Sequence, residues 1–158
     1  MAIRSPLLEM DLKPFILEAV DRLGYFEPSI APWMTAKMLA AEARGADLAR
    51  VIDDDWHRHL TTKGLENPQH AVTTTYLRAR AAARDHAYRA RTMPLLIREP
   101  PIFPAIVFCA APKCPCAAAI ILDRTMHRLP PDLPLPGCDN EVCGCSWRTV
   151  SKLEIERG

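Results

Sequence analysis

Apolar residues recur at helical spacing through residue 93 and then lose that rhythm. Phe15, Ile16, Ala19, Val20 and Leu23 form one stripe. That stripe predicts a helix with Asp11 as its cap, Pro14 in its first turn and Gly24 as its stop. Pro28 interrupts the chain, and Pro32 suits the first position of a second helix carrying Trp33, Met38, Leu39 and Ala41 and ending near Gly45. Leu48, Val51, Ile52, Trp56 and Leu60 predict a third helix over 47–62, with Gly64 following it. Asn67-Pro68 reads as cap and first residue of a fourth, expected to run to Met93 because Pro94 stops it. Four helices with short connections predict a small bundle over 1–94.

Beyond residue 93 the punctuation changes. Pro94, Pro100, Pro101 and Pro104 mark residues 95–104 as a proline-rich connector, either a linker or an extended segment. In 105–158, Ala105-Ile106-Val107-Phe108 and Trp147-Arg148-Thr149-Val150 read as short strands, and the AAAIILD run after Cys116 fits helix or strand. The expected fold class is therefore mainly α: an N-terminal bundle of about four helices and a small, irregular or β module at the C-terminus.

The candidate chemistry of that module is its cysteines. All six lie between Cys109 and Cys145, and the spacing C-x4-C-x-C occurs twice, as Cys109, Cys114, Cys116 and as Cys138, Cys143, Cys145. The N-terminus lacks the apolar core of a signal peptide, and no run of residues is long and apolar enough for a membrane span, so the expected compartment is the cytoplasm. Thiols stay reduced there, which favours metal ligation over disulfides. Four thiolates suit structural zinc, and paired cysteines two to four residues apart converge on one ion across a tight turn. The primary ligand set is Cys109, Cys114, Cys138 and Cys143. Cys145 is a substitute, and Cys116 and His127 are weaker candidates. An iron–sulfur cluster is the alternative cofactor.

The run LPLPGCDNEVCGCSW over 133–147 resembles the cysteine-bearing ends of a group of small uncharacterised bacterial proteins. Their pattern is close to L-P-L-P-G-C-x4-C-x-C followed by an aromatic, with an earlier C-x4-C. Cys109 and Cys114 match the earlier pair, Cys138, Cys143 and Cys145 the later set, and Trp147 the aromatic. Cys116 departs from the pattern. The resemblance implies a metal-binding module and brings no activity with it.

Charge adds one feature. The net charge is +1, too small for a general polyanion binder. Residues 1–60 nevertheless carry seven basic against ten acidic side chains, and residues 61–99 seven against three. Arg80, Arg84 and Arg91 share one side of the fourth predicted helix and are the nucleic-acid candidates, since guanidinium groups contact phosphates and guanine edges. The bland alternative pairs these arginines with the acidic N-terminal part.

Asp53-Asp54-Asp55-Trp56-His57-Arg58-His59 looks like a metal centre, but about 100° of rotation per helical residue sends His57 and His59 apart. His59 falls with Ile52 and Trp56, as a partly buried core histidine. No glycine-rich phosphate loop, nucleophile elbow or H-E-x-x-H is present, so no catalytic residue and no small-molecule substrate is indicated. The expected function is a non-enzymatic, metal-stabilised binding or regulatory protein with a protein or nucleic-acid partner. The alternatives are an enzyme or redox protein using the cysteines and an accessory subunit of a larger assembly.

Overall fold

A computed structural model describes residues 5–112 and 116–157. The chain divides into two compact units, Met1–Arg84 and Asp85–Gly158, and is mainly helical with one small sheet.

In the N-terminal unit the first two helices follow from the sequence. Helix α1 spans Lys13–Leu23. Asp11 Oδ1 accepts from the Lys13 N–H at 3.0 Å. Gly24, in the left-handed region at φ 67°, closes it. Helix α2, Ala31–Arg44, buries Met34, Met38 and Ala41. Trp33 is half-buried and donates its indole N–H to Asp53 Oδ1 at 2.7 Å.

The third expected helix does not form. Residues 47–62 hold two 3-10 turns instead, Leu48–Arg50 and Asp54–His59. Asp53 breaks the run. Its backbone is extended, its side chain accepts from the Asp55 N–H, and Trp33 and Lys37 both donate to its carboxylate. An aspartate that serves its own backbone competes with helix propagation. Trp56 is still buried, in edge contact with Phe26.

Helix α3, Thr62–Glu66, was not expected. It is capped by Thr61 Oγ1, which accepts from the Gly64 N–H at 3.2 Å. Gly64 thus lies inside a helix rather than after one, packed under the Tyr25 carbonyl.

Helix α4 spans Pro68–Ile97, with Asn67 Oδ1 accepting from the His70 N–H at 3.2 Å as the cap. In the first unit it buries Ala71, Val72, Thr75, Tyr76, Ala79 and Ala83. Pro94 does not end it. Interrupting a helix with proline costs about 3 kcal/mol. The turn beyond it carries Leu96, buried with Ile106 and Trp147, and that burial offsets the penalty.

In the C-terminal unit the end of α4 is followed by β1 (Ala105–Cys109), α5 (Ala117–Leu122), β2 (Met126–His127), β3 (Ser146–Val150) and α6 (Lys152–Arg157). The sheet order is β2-β1-β3, antiparallel throughout, with Phe108 opposite Trp147 and Cys109 opposite Ser146. Alternation along β1 buries Ile106 and Phe108 on one face and leaves Ala105, Val107 and Cys109 half-buried on the other. Residues 95–104 do not hang loose: Ile102 N–H returns to the Leu95 carbonyl at 3.0 Å, and Phe103 packs on Leu96, Ile106 and Trp147. Among the described residues no helix is long and apolar enough to cross a membrane.

Candidate metal centre

The Phe108 side of the sheet carries a second small core. Phe108, Cys116, Ala119, Leu135, Cys138 and Cys145 are buried together, and Cys143 packs against them. Each cysteine arrives by a separate local device. Cys116 precedes the first turn of α5. The Cys138 N–H closes a turn onto the Leu135 carbonyl at 3.0 Å, with Gly137 at φ 77° allowing the bend. Cys145 leads directly into β3, on the same side as Trp147.

The sulfurs of Cys138 and Cys143 receive similar support. Asn140 Nδ2 lies 3.7 Å from Cys138 Sγ and donates to it. The backbone N–H of Cys145 donates to Cys143. In each case the donor is two residues downstream. Donors aimed at sulfur stabilise the thiolate form and orient it, as the outer shell of a thiolate–metal site does. Burial first, and then the neighbouring Cys145 and Cys138, push the Cys143 thiol well above its ordinary range. Desolvation of this kind opposes ionisation of the thiol.

The expected ligand quartet fares unevenly. Cys138 and Cys143 are together. Cys109 lies on the opposite face of β1, its Sγ 3.8 Å from the Val107 carbonyl oxygen. Cys114 lies outside the described residues. Cys116, which departs from the pattern of the resembling proteins, is in the cluster, as is Cys145. His127 is in β2 and pairs through Nε2 with Thr125 Oγ1 at 2.7 Å. Among the described residues, no three His, Cys, Asp or Glu side chains stand in an arrangement that would hold a metal ion.

Beside this cluster the sequence reading missed an anchoring network. Trp147 is buried against Tyr88, with ring centres 4.5 Å apart, and donates to Asp85 Oδ1 at 3.1 Å. Arg89 Nε donates to Asp85 Oδ2 at 2.8 Å, and its terminal nitrogens reach the carbonyls of Pro130 and Pro131. One arginine thereby holds the proline-rich approach to Cys138. The only sequence signal was the Asp85–Arg89 spacing of four on a helix, which is too common to single out.

The arginine face is also engaged. Arg80 Nε and Arg84 Nη2 both donate to Glu42 Oε1, at 2.5 and 3.1 Å, and Arg78 donates to Glu18 at 2.8 Å. Arg91 is exposed. The histidines of the 53–59 run do not face a common point. His57 Nδ1 bonds the Asp54 carbonyl at 3.0 Å, and half-buried His59 sits between Ser29 Oγ and Arg58 Nε.

Comparison with protein-family models, with curated proteins and with solved structures finds no match.

Proposed function

We propose that the protein is a non-enzymatic binding protein whose C-terminal unit is held together by a zinc ion on buried thiolates. The observation that carries this reading is the convergence of Cys116, Cys138, Cys143 and Cys145 on one small apolar core. Bound zinc would hold these sulfurs as thiolates and tie the chain before α5 to the loop leading into β3. A unit this small has little core of its own, and metal ligation supplies folding energy directly. The resemblance of residues 133–147 to bacterial cysteine-bearing ends points the same way.

A protein partner fits better than nucleic acid. Arg80 and Arg84 are both engaged by Glu42, whereas Ile120 and Ile121 of α5 stand 62% and 74% exposed.

The test is elemental analysis of the purified full chain with single cysteine variants. The expected result is about one zinc per chain, lost in Cys138→Ser and Cys143→Ser and retained in Cys109→Ser. A protein that binds no zinc, or that loses it only with Cys109, overturns the proposal.

A further inference from the structure

The thiols of the second core are not equivalent. Cys138 is 1% exposed, Cys145 8% and Cys116 9%, whereas Cys143 is only partly buried. Of these four, Cys143 is the one that a small solute reaches from solvent. Its sulfur also has a thiol partner in contact. The Cys143 and Cys145 thiols share a hydrogen bond, and the Cys145 N–H donates to the Cys143 sulfur as well. The Cys138 sulfur, by contrast, accepts from Asn140 Nδ2 at 3.7 Å.

The backbone between the pair favours closure. Cys143, Gly144 and Cys145 lead without a helical turn into β3. Side chains two apart on extended backbone point to the same side. Two residues of such backbone span about 6.5 Å, within the roughly 4.4–6.8 Å between Cα atoms that a disulfide accepts. Gly144 between them adds the freedom to shorten that span. It is also tightly packed, since a Cβ there would lie 3.1 Å from Ala111 Cβ.

We propose that Cys143 and Cys145 are a site of reversible oxidation that a peroxide closes to a disulfide, with Cys143 as the entry thiol and Cys145 as the resolving one. The Cys143 sulfur attacks one peroxide oxygen, the O–O bond breaks, and a sulfenic acid and one water form. The Cys145 sulfur then displaces that hydroxyl, which forms the S–S bond and a second water. The two thiol protons leave in the waters, two electrons pass to the peroxide, and a thiol reductant reverses the change. Burial slows every thiol of this core, and it shields Cys143 least. The pairing stands on the contact between these two thiols and not on the zinc reading. Where both are zinc thiolates, the disulfide removes two ligands at once, so oxidation releases the ion.

The experiment treats the untreated full chain with stoichiometric hydrogen peroxide, alkylates the remaining thiols and maps them by tandem mass spectrometry after trypsin. Cys138, Cys143 and Cys145 fall in one tryptic peptide, 129–148. The expected first product is that peptide short of two hydrogens, with Cys138 still alkylated, both labels lost from Cys143 and Cys145, and backbone fragmentation between 138 and 143 intact. Dithiothreitol restores both labels. In Cys145→Ser, dimedone labels Cys143 as the trapped sulfenic acid, and in the wild type it does not. If that variant does not fold, the wild-type map decides alone. The proposal is overturned if the first disulfide contains any other cysteine, if Cys143 passes to the sulfinic acid without pairing, or if excess peroxide leaves both thiols alkylatable. Zinc measured before peroxide is added reports on the metal proposal separately, so either reading can fail without the other.

Discussion

Replacing Glu42 by glutamine tests a carboxylate of the N-terminal unit that accepts from three side chains. The Glu42 side chain is 5% exposed. It accepts from Ser5 Oγ at 2.8 Å, from Arg80 Nε at 2.5 Å and from Arg84 Nη2 at 3.1 Å. Glutamine keeps the shape, removes the charge and turns one oxygen into an N–H2 group facing donors. Hydrogen bonds to a charged group contribute about 1.5–3 kcal/mol each. Most of that does not survive as net loss here. Arg84 is 51% exposed and Arg80 29%, so both regain water when released. The penalty that remains comes from Ser5 and the inner edge of Arg80, about 2 kcal/mol in all. Hydrogen exchange resolved to the peptides of α2 reads this directly, as protection lowered about thirtyfold in Glu42→Gln.

The pH dependence gives the reasoning a second chance to fail. Burial acting alone would raise the Glu42 carboxyl. The hydrogen bonds from Ser5 and Arg80, with the charges of Arg80 and Arg84, together outweigh burial and hold it below its ordinary 4.5. A carboxyl depressed in the native state binds protons less readily there than in the unfolded chain. Its contribution is therefore complete above pH 4.5 and is lost as pH falls through the lower native value. The gap between wild type and Glu42→Gln is expected to be widest near neutrality and to close in acid. A gap below about 0.5 kcal/mol at neutral pH, or one that acid leaves unchanged, refutes the argument.

Gly64→Ala places a Cβ 2.2 Å from the Tyr25 carbonyl oxygen and 2.7 Å from Leu60 Cδ2. That carbonyl already accepts from the Thr61 N–H and cannot give, so a loss of about 3 kcal/mol is expected in denaturant unfolding followed by tryptophan fluorescence. Gly45→Ala, at φ 58° with nothing near the added carbon, is expected to lose only about 1 kcal/mol; equal losses would contradict the packing assignment. Asp85→Ala leaves the buried Trp147 indole N–H without its acceptor and releases Arg89, lowering stability of the C-terminal unit by about 2 kcal/mol. Exchange protection of β3 and the indole N–H resonance report it, and an unmoved indole signal would contradict the assigned bond. Chelation is expected to raise proteolysis and thiol accessibility over 105–150 while sparing the helices, and an unchanged tail would count against structural zinc.

What the sequence makes legible is whatever local chemistry decides. Asp11 and Gly24 bound α1, and Asn67 opens α4, because caps and left-handed glycines act within a few residues. The strands at 105 and 147 follow from β-branched and aromatic runs. Misreadings arise where a distant partner decides. Asp53 is drawn to Trp33 and Lys37, neighbours that a window over 47–62 does not contain. Pro94 stays inside its helix because Leu96 finds Ile106 and Trp147. In the thiol region, strand alternation turns Cys109 away from Phe108, while Cys116 enters the core ahead of α5, and the spacing of the cysteines carries neither placement.

The uneven charge along the chain has a structural origin that bears on the partner. The acidic excess of residues 1–60 and the basic excess of 61–99 meet in the N-terminal unit, where Glu18 receives Arg78 and Glu42 receives both Arg80 and Arg84. The part of that asymmetry carried by Arg78, Arg80 and Arg84 is thus folding complementarity within the N-terminal unit. In the C-terminal unit the exposed side chains include apolar ones, Ile120 and Ile121 of α5, beside the thiol core.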